Sequence, residues 1–490
     1  IFDYQGYEIN NRLYSFKDGA QPVDCWCFKA DYAESSGTHN TGIAKLWGKV
    51  MYDAQIDGEY KLRTNAQNIA NANGYPYDVR TTIDGFPCHM VYRLNESSDW
   101  VYIGKYNFNN DKSTESVFGF TGIPGFNNSR MQCWEVLNNG NHLALFEDVT
   151  NFDSEWSEAY ESRYPDTKTP NTADLKAFCQ WVVSTKGNVA KFKTEKWNHL
   201  DVYKAAAYYI YVMRFGAVDQ TVKNSMLTSE DGVHFYWINY DNDTINGLRN
   251  DGYLVFDYLV DRQSLDPTYA ASEQVYAYAG HESTLWNNME ADDEFMDIVA
   301  QVDQALYTAG LKYTETIDMF DHEQSAKWCE RVYNKDAQYK YVGPYNEKGT
   351  NNLFMLQGAR RAHRRWWLSH RFDVIDSRFI SGKFKANIID FKVMNGTPSG
   401  QRFTIEAGNL LYYGYGVNDI PAETGVKLEP GEEKTFTTKQ VLNIGDPVRI
   451  YSAQNLQKVD LSPLMSRLTQ LGVTGVYDEV VRLYASTIDS

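Results

Sequence analysis

Several familiar signatures are absent from this chain, and each absence excludes a class. No apolar run approaches the roughly 20 residues needed to cross a bilayer as a helix; the most apolar helical stretch, near Ala205–Val212, is interrupted by tyrosines. The six cysteines form no Cys-x-x-Cys pair and no zinc-type cluster with histidine, so they read as scattered buried thiols of a chain made in a reducing compartment. There is no Gly-x-Ser-x-Gly elbow and no phosphate loop, which removes the common hydrolase and P-loop chemistries. Positive charge is scarce overall, and a net charge of −17 argues against general nucleic-acid binding. The chain opens Ile-Phe-Asp with no signal-peptide pattern, which reads as a processed product or an excised part of a longer polypeptide.

What remains is ample for folding. At 490 residues the chain should hold two or three domains, and 43% hydrophobic residues suffice for sizeable cores. The 36 tyrosines exceed ordinary usage; they suit broad semi-polar contact surfaces, or extended β-structure. Residues 1–150 read mainly as strands, with one helix near Asn40–Asp53 that carries Ile43, Leu46, Trp47 and Val50 on one face, and a hairpin from Cys88 to Phe108. Residues 151–330 read as helical: Thr172–Ser184, a helix over Asp201–Phe215 apolar nearly all round, then Ala270–Glu290, Asp293–Ala309 and His322–Asn334. Residues 331–385 form a connector containing an arginine-rich helix at Gln357–Phe372, and residues 386–490 a β-rich domain. The tail from Leu442 repeats Leu and Val in a solenoid-like rhythm, with a small β-domain ending in a helix as the other reading.

The richest chemistry lies between Asp219 and Gly247. Asp219 stands five residues before Asn224; a predicted hairpin follows, with strands at Met226–Thr228 and Val233–Asn239, and then Tyr240-Asp-Asn-Asp. Asp and Asn also cluster at turns because their side chains bond locally to the backbone. This series resembles the spacing that protein kinases place around nucleotide and magnesium, where oxygen ligands suit a hard cation. Together with Lys29-Ala-Asp-Tyr-Ala-Glu-Ser-Ser ahead of a helix, and a hairpin ending in Gly104-Lys-Tyr, it resembles the CotH kinase-like family over roughly residues 20–260.

The resemblance implies an α+β, atypical protein-kinase-like fold across residues 1–330. It implies Asp219 as the catalytic-loop acid, Asn224 and Asp241 as magnesium ligands, Asp243 as a further acidic ligand, and ATP as the nucleotide. Lys29, or alternatively Lys105, would be the lysine that meets the phosphates. Two departures stand out: no Gly-x-Gly-x-x-Gly loop precedes Lys29, and Phe215-Gly-Ala-Val stands before Asp219 where kinases have His-Arg.

A second resemblance covers nearly the whole chain. Phe28-Lys-Ala-Asp-Tyr-Ala-Glu-Ser-Ser-Gly, Lys105-Tyr-Asn-Phe-Asn-Asn-Asp-Lys and Arg364-Arg-Trp-Trp-Leu-Ser look like large virion proteins of crAss-like and related tailed phages. In those proteins a CotH-like region precedes β-domains and leucine-rich stretches. This implies a tail component such as the muzzle, or its cleavage product, made in the host bacterial cytoplasm and built into the virion. Its partners would be further copies of itself and other tail proteins. The run Arg360–Arg371 holds five arginines, two histidines and two tryptophans; it suits an acidic interface on a neighbouring domain or subunit, with nucleic acid as the other reading. An active kinase acting on protein hydroxyls is the competing function, and a host-surface adhesin a third.

Overall fold

Alternation between aromatic and polar residues makes Trp26–Lys29 a strand, β1, and the apolar spacing after it makes His39–Asp53 a helix, α1. These belong to a computed structural model that describes residues 15, 22–23, 25–29, 34, 37–76, 78–126, 129–217, 219–221, 223–248, 283–323, 357–379, 390–394, 401–407, 410–412, 426–437 and 448–453. α1 buries Ile43, Leu46, Trp47 and Val50, the face its spacing predicts. Its first turn is capped from outside: the Thr38 and His39 amides donate to the buried Glu34 carboxylate at 2.7 and 3.3 Å. A carboxylate there satisfies orphan donors and complements the helix dipole.

A short hairpin, β2 (Gln55–Ile56) and β3 (Tyr60–Lys61), leads to α2 (Asn65–Ala72), whose Thr64 caps the Gln67 amide. Two long strands follow, β4 (Gly85–Tyr92) and β5 (Val101–Asn110), and with β1 they form an antiparallel sheet in the order β1-β5-β4. Phe28 and Phe86 both lie opposite Phe108, so one aromatic row crosses all three strands.

The second sheet was not foreseen in full. β6 (Gln132–Val136) is followed by α3 (Asn139–Leu145), α4 (Phe152–Ala159) and β7 (Tyr160–Tyr164). Helices α5 (Ala173–Ser184), α6 (Val189–Glu195) and α7 (Val202–Phe215) come next, then β8 (Ser225–Ser229) and β9 (Phe235–Asn239). The order is β7-β6-β8-β9, all antiparallel. β6, β8 and β9 are buried along their whole length, so no polar–apolar alternation marks them.

α7 lies against β9 and is buried at every position except Tyr203. Asp201 caps it at the Lys204 amide (3.2 Å), and Gly216, with φ of 57°, ends it. Its tyrosines explain part of the tyrosine excess. Tyr208 and Tyr211 are core residues whose rings meet Trp237, Trp286 and Trp47, while their hydroxyls reach the Gln220 carbonyl (2.8 Å) and the Asn242 side chain. Burial therefore absorbs aromatic mass that the composition equally suited to a contact surface.

Helices α8 (Thr284–Ala291), α9 (Asp293–Thr308), α10 (Tyr313–Glu323) and α11 (Gln357–Phe379) complete the core. The parts of the expected helices at Ala270–Glu290 and His322–Asn334 that precede Ser283 or follow Glu323 lie outside the described residues. α11 is the arginine-rich helix, and it packs against α7, α9 and α10 with Trp367, Leu368, Phe372, Val374 and Ile375 buried. Expected within a connector, this helix packs as part of the helical core. Its charges are also committed internally. Arg361, Arg364 and Arg365 all bond to Asp321, Arg364 also donates to Thr38 Oγ1 (3.0 Å), and Arg371 donates to the Met213 carbonyl. An amphipathic helix cannot bury its apolar stripe without drawing flanking guanidinium groups inward, where they need partners. Three of the five arginines of Arg360–Arg371 thus meet an acidic group of the chain itself, Asp321.

The described residues of the C-terminal part lie mostly in strands, and the chain as a whole is α+β. β10 (Asp390–Met394), β11 (Gln401–Ala407), β12 (Leu410–Tyr412), β13 (Val426–Leu428), β14 (Glu433–Thr437) and β15 (Val448–Ala453) form two small antiparallel sheets. β10 pairs with β14, while β11 pairs with β12, β13 and β15. Of the solenoid-like rhythm, Val448 and Ile450 fall in β15; the leucines from Leu456 onward lie outside the described residues.

One ion pair joins three helices of the core. Arg214 at the end of α7 is fully buried and bonds Asp303 of α9 through two nitrogens (2.7 and 2.6 Å) and Asp376 of α11 at 2.6 Å. Asp303→Ala is expected to cost about 3 kcal/mol in chemical denaturation, because it strands a buried guanidinium on one partner. A loss below about 1 kcal/mol, the range of an exposed pair, would contradict this role.

Candidate functional site

The hairpin of β8 and β9 gathers the acidic residues. Ser225 lies opposite Asn239, so the residues just outside the pair, Asn224 and Tyr240, face each other, and the Tyr240 amide donates to the Asn224 carbonyl (3.3 Å). Antiparallel register thereby brings Asn224 and Asp241 to one end of the sheet, although 17 positions separate them in the chain. Asp219 arrives by a different route. α7 ends at Gly216, and a single 3-10 turn over Asp219–Thr221 carries the chain to β8. There Asn224 Nδ2 donates to Asp219 Oδ2 at 2.5 Å.

The third component comes from the N-terminal sheet. Lys29, at the end of β1, forms an ion pair with Asp241, and both side chains remain about one-third exposed, at 36% and 30%. α1 holds the neighbouring loop with its first turn: the Asn242 amide donates to Asn40 Oδ1 (2.6 Å), and His39 Nδ1 lies 3.3 Å from the Asp243 carbonyl. Gln220 Nε2 donates to the Asp241 carbonyl at 2.9 Å, which ties the Asp219 turn to the Asp241 loop. The structure thus brings Lys29, Asp219, Asn224, Asp241 and Asp243 into one region. Lys105 lies opposite His89 in β5, and its side chain is outside the described residues.

Backbone strain concentrates here. Four described non-glycine residues have positive φ, and three of them are Asn224 (49°), Asp241 (55°) and Asn246 (59°). Asn and Asp tolerate the left-handed region better than other side chains, which gives this turn-forming composition a conformational reason. Beside them sits a wedge from α11. A Cβ on Gly216 would come within 2.7 Å of the Trp367 ring, and one on Gly247 within 2.5 Å. The Asn246 amide donates to the Phe215 carbonyl (2.7 Å), closing the loop over the end of α7.

Electrostatics separates the two acids. Asp219 is raised from its ordinary 3.8 to about 6; burial is the main cause, with Lys223 opposing and Asp243 adding to it. Asp241, at the open side, has its carboxylate matched by the Lys29 ammonium. In chemical terms the region offers a carboxylate–ammonium pair facing outward, a carboxyl group poised near neutrality behind it, and an asparagine between them. Among the described residues no group of three His, Cys, Asp or Glu stands in a metal-holding arrangement. His363 is buried in α11, and His370 Nδ1 meets the Trp366 carbonyl at 2.8 Å.

No family model matches this chain, and no curated protein matches it.

Sequence reasoning missed the supports of the site. Glu34 stood within the Lys29 phrase, yet its role as the external cap of α1 lies in its bonds to the Thr38 and His39 amides, which the phrase does not mark. Gln220, Asn40 and Trp367 carried no readable signal: each acts through a contact whose partner is 21 or more positions away.

The raised carboxyl of Asp219 has a signed consequence. Between about pH 4 and pH 6 the folded state holds a proton that the unfolded chain has released, so stability falls as pH rises through that window. The contribution is up to about 3 kcal/mol. Asp219→Asn should therefore be more stable than wild type at neutral pH and equal to it below about pH 4, read by denaturation at several pH values. Equal stability at both ends would rule out the burial account. Gly247→Ala is expected to cost about 2–3 kcal/mol, from a left-handed backbone and the Trp367 clash together. Gly58→Ala, at φ of 75° with no atom near its added Cβ, isolates the backbone part at about 1 kcal/mol. Equal losses in the two variants would remove Trp367 from the argument.

Proposed function

We propose that the chain is a structural component of a bacteriophage tail, a muzzle-type subunit or its cleavage product, built on a CotH kinase-like scaffold. The supporting observation is that two groups assigned by resemblance to nucleotide and metal are bonded to each other, Lys29 to Asp241. In a phosphotransferase such groups face ligand. Bonded together, they join the β1-β5-β4 sheet to the β8–β9 hairpin and act as a clasp between the two halves of the scaffold. Its partners would be copies of itself and other tail proteins, and its place the virion. Purified virions should contain the chain at a fixed ratio to other tail proteins by quantitative mass spectrometry. A chain found only in the lysate and never in particles would end this reading.

A second reading, an atypical kinase acting on protein hydroxyls, is favoured by one observation: the Asp219 carboxyl is lifted to about 6, where a general base works well near neutrality. The donor set fits magnesium, because Asn224 spends its amide nitrogen on Asp219 and keeps its oxygen for a hard cation. Asn224 and Asp241 would hold the ion with Asp243 beside them, and Lys29 would meet the phosphates of ATP. Bound ATP would supply the transferable phosphoryl group. Asp219 would orient the acceptor hydroxyl and take its proton. Millimolar ATP with magnesium should then raise the melting temperature of wild type by several degrees and leave Asp241→Ala unmoved. No shift in wild type would dispose of the kinase reading.

A further inference from the structure

Away from the acidic site, three ionisable side chains converge inside the helical half of the molecule. Lys196 opens the single 3-10 turn Lys196–Asn198 that follows α6, and Asp292 stands between α8 and α9. Lys196 Nζ lies 2.8 Å from Asp292 Oδ2, and both side chains are fully buried. Glu294, in the first turn of α9, brings its Oε1 to 3.2 Å from the same nitrogen. Nζ also donates to the Lys193 carbonyl at 3.1 Å. The two oxygens of Asp292 differ: Oδ1 accepts the Glu294 amide at 3.1 Å, whereas Oδ2 has no hydrogen-bond partner. Its contact with Nζ is therefore close without being a hydrogen bond.

An arginine in such a place, as Arg214 is, keeps its proton and forms a permanent ion pair. A lysine can release its proton, and the amine that remains is a nucleophile. Where water is excluded, amine beside carboxylic acid avoids holding two desolvated charges. We propose that Lys196 and Asp292 condense into an intramolecular isopeptide bond, with Glu294 as the proton shuttle. The Lys196 proton passes to Asp292 Oδ2, leaving an amine and a carboxylic acid. Nζ then attacks Asp292 Cγ. As the new C–N bond forms and the Cγ–Oδ2 bond breaks, Glu294 takes a proton from the nitrogen and delivers it to Oδ2, which departs as water. Glu294 is within reach of that proton. The Trp197 indole, which donates to Glu294 Oε1 at 3.2 Å, and Lys196 hold its carboxyl below the ordinary range, so it stands as a carboxylate able to accept. The Glu294 amide draws charge onto Oδ1 during the attack and remains its donor once Oδ1 is an amide oxygen, so the cap of α9 survives. Groups oriented in this way act at effective concentrations on the order of 10⁵–10⁸ M. The step consumes no oxidant, metal or nucleotide, and the crosslink needs neither reading of the acidic site.

Intact-mass spectrometry of the purified full chain tests it. The wild type should be lighter than its sequence by one water, about 18 Da, and a proteolytic digest should contain a branched peptide joining Lys196 to Asp292. Asp292→Asn should release ammonia instead and reach the same final mass as wild type. Glu294→Gln should keep the circular dichroism of wild type and carry the bond in at least tenfold fewer molecules. Lys196→Met should show its full sequence mass; if it fails to fold, the wild-type mass and digest decide alone. A wild type at its full sequence mass, with Lys196 and Asp292 in separate linear peptides, overturns the proposal and leaves a buried ion pair. A missing water that maps to other residues overturns it as well, and so does Glu294→Gln crosslinked as completely as wild type.

Discussion

A helix buried on nearly every side constrains everything around it, and α7 is that helix. Thirteen of its fourteen residues are buried. Its polar groups must therefore be answered from within the protein, since no water reaches them. Arg214 draws Asp303 and Asp376 from two other helices, Tyr208 and Tyr211 draw the segments around Gln220 and Asn242, and Lys204 draws Asp201. The same requirement fixes where the helix stops, at a left-handed glycine whose bare α-carbon admits Trp367.

That stop creates the candidate site. Because α7 cannot continue past Gly216, the chain turns at Asp219 and enters β8 beside β9. The hairpin returns Asp241 to the level of Asn224, and α1 reaches over to hold the loop. The strained residues are the ones that let the backbone make these reversals. An asparagine or aspartate in the left-handed region costs less than most residues, so the composition that marks the site also makes its geometry affordable. Lys29 then links the N-terminal sheet to this assembly through one ion pair at a partly exposed position, where geometry matters more than the modest energy of such a pair.

Two surfaces of opposite fate illustrate how poorly composition maps onto exposure. The arginine-rich helix, read from its charges, suits an acidic interface on a neighbouring domain or subunit. It is a core element, because its apolar stripe is wide enough to bury and Asp321 receives three guanidinium groups. The β4–β5 hairpin, ordinary in sequence, leaves Leu94 and much of Trp100 exposed, with Arg93 over the Trp100 ring. Tyrosine shows the same divergence: those of α7 serve the core, and Tyr60 and Tyr240 bond buried or half-buried acids at 2.7 and 2.6 Å.

Local order was legible wherever one face meets solvent or one residue punctuates. The periodicity of α1, the apolar spacing of α5, the all-round apolarity of α7, and the turn between β8 and β9 follow from side chains within a few positions of each other. The acidic cluster was legible as composition at fixed spacing, and so were Asp219, Asn224 and Asp241 as a set. Tertiary structure alone decided the rest. β6 carries no alternation, because burial on both faces erases it. Lys29 meets Asp241 across 212 positions, Arg364 meets Thr38 across 326, and Trp367 seats on Gly216 and Gly247. A sequence records which groups need partners; which partner answers depends on how distant segments pack, and that is settled only when the whole chain has closed around α7.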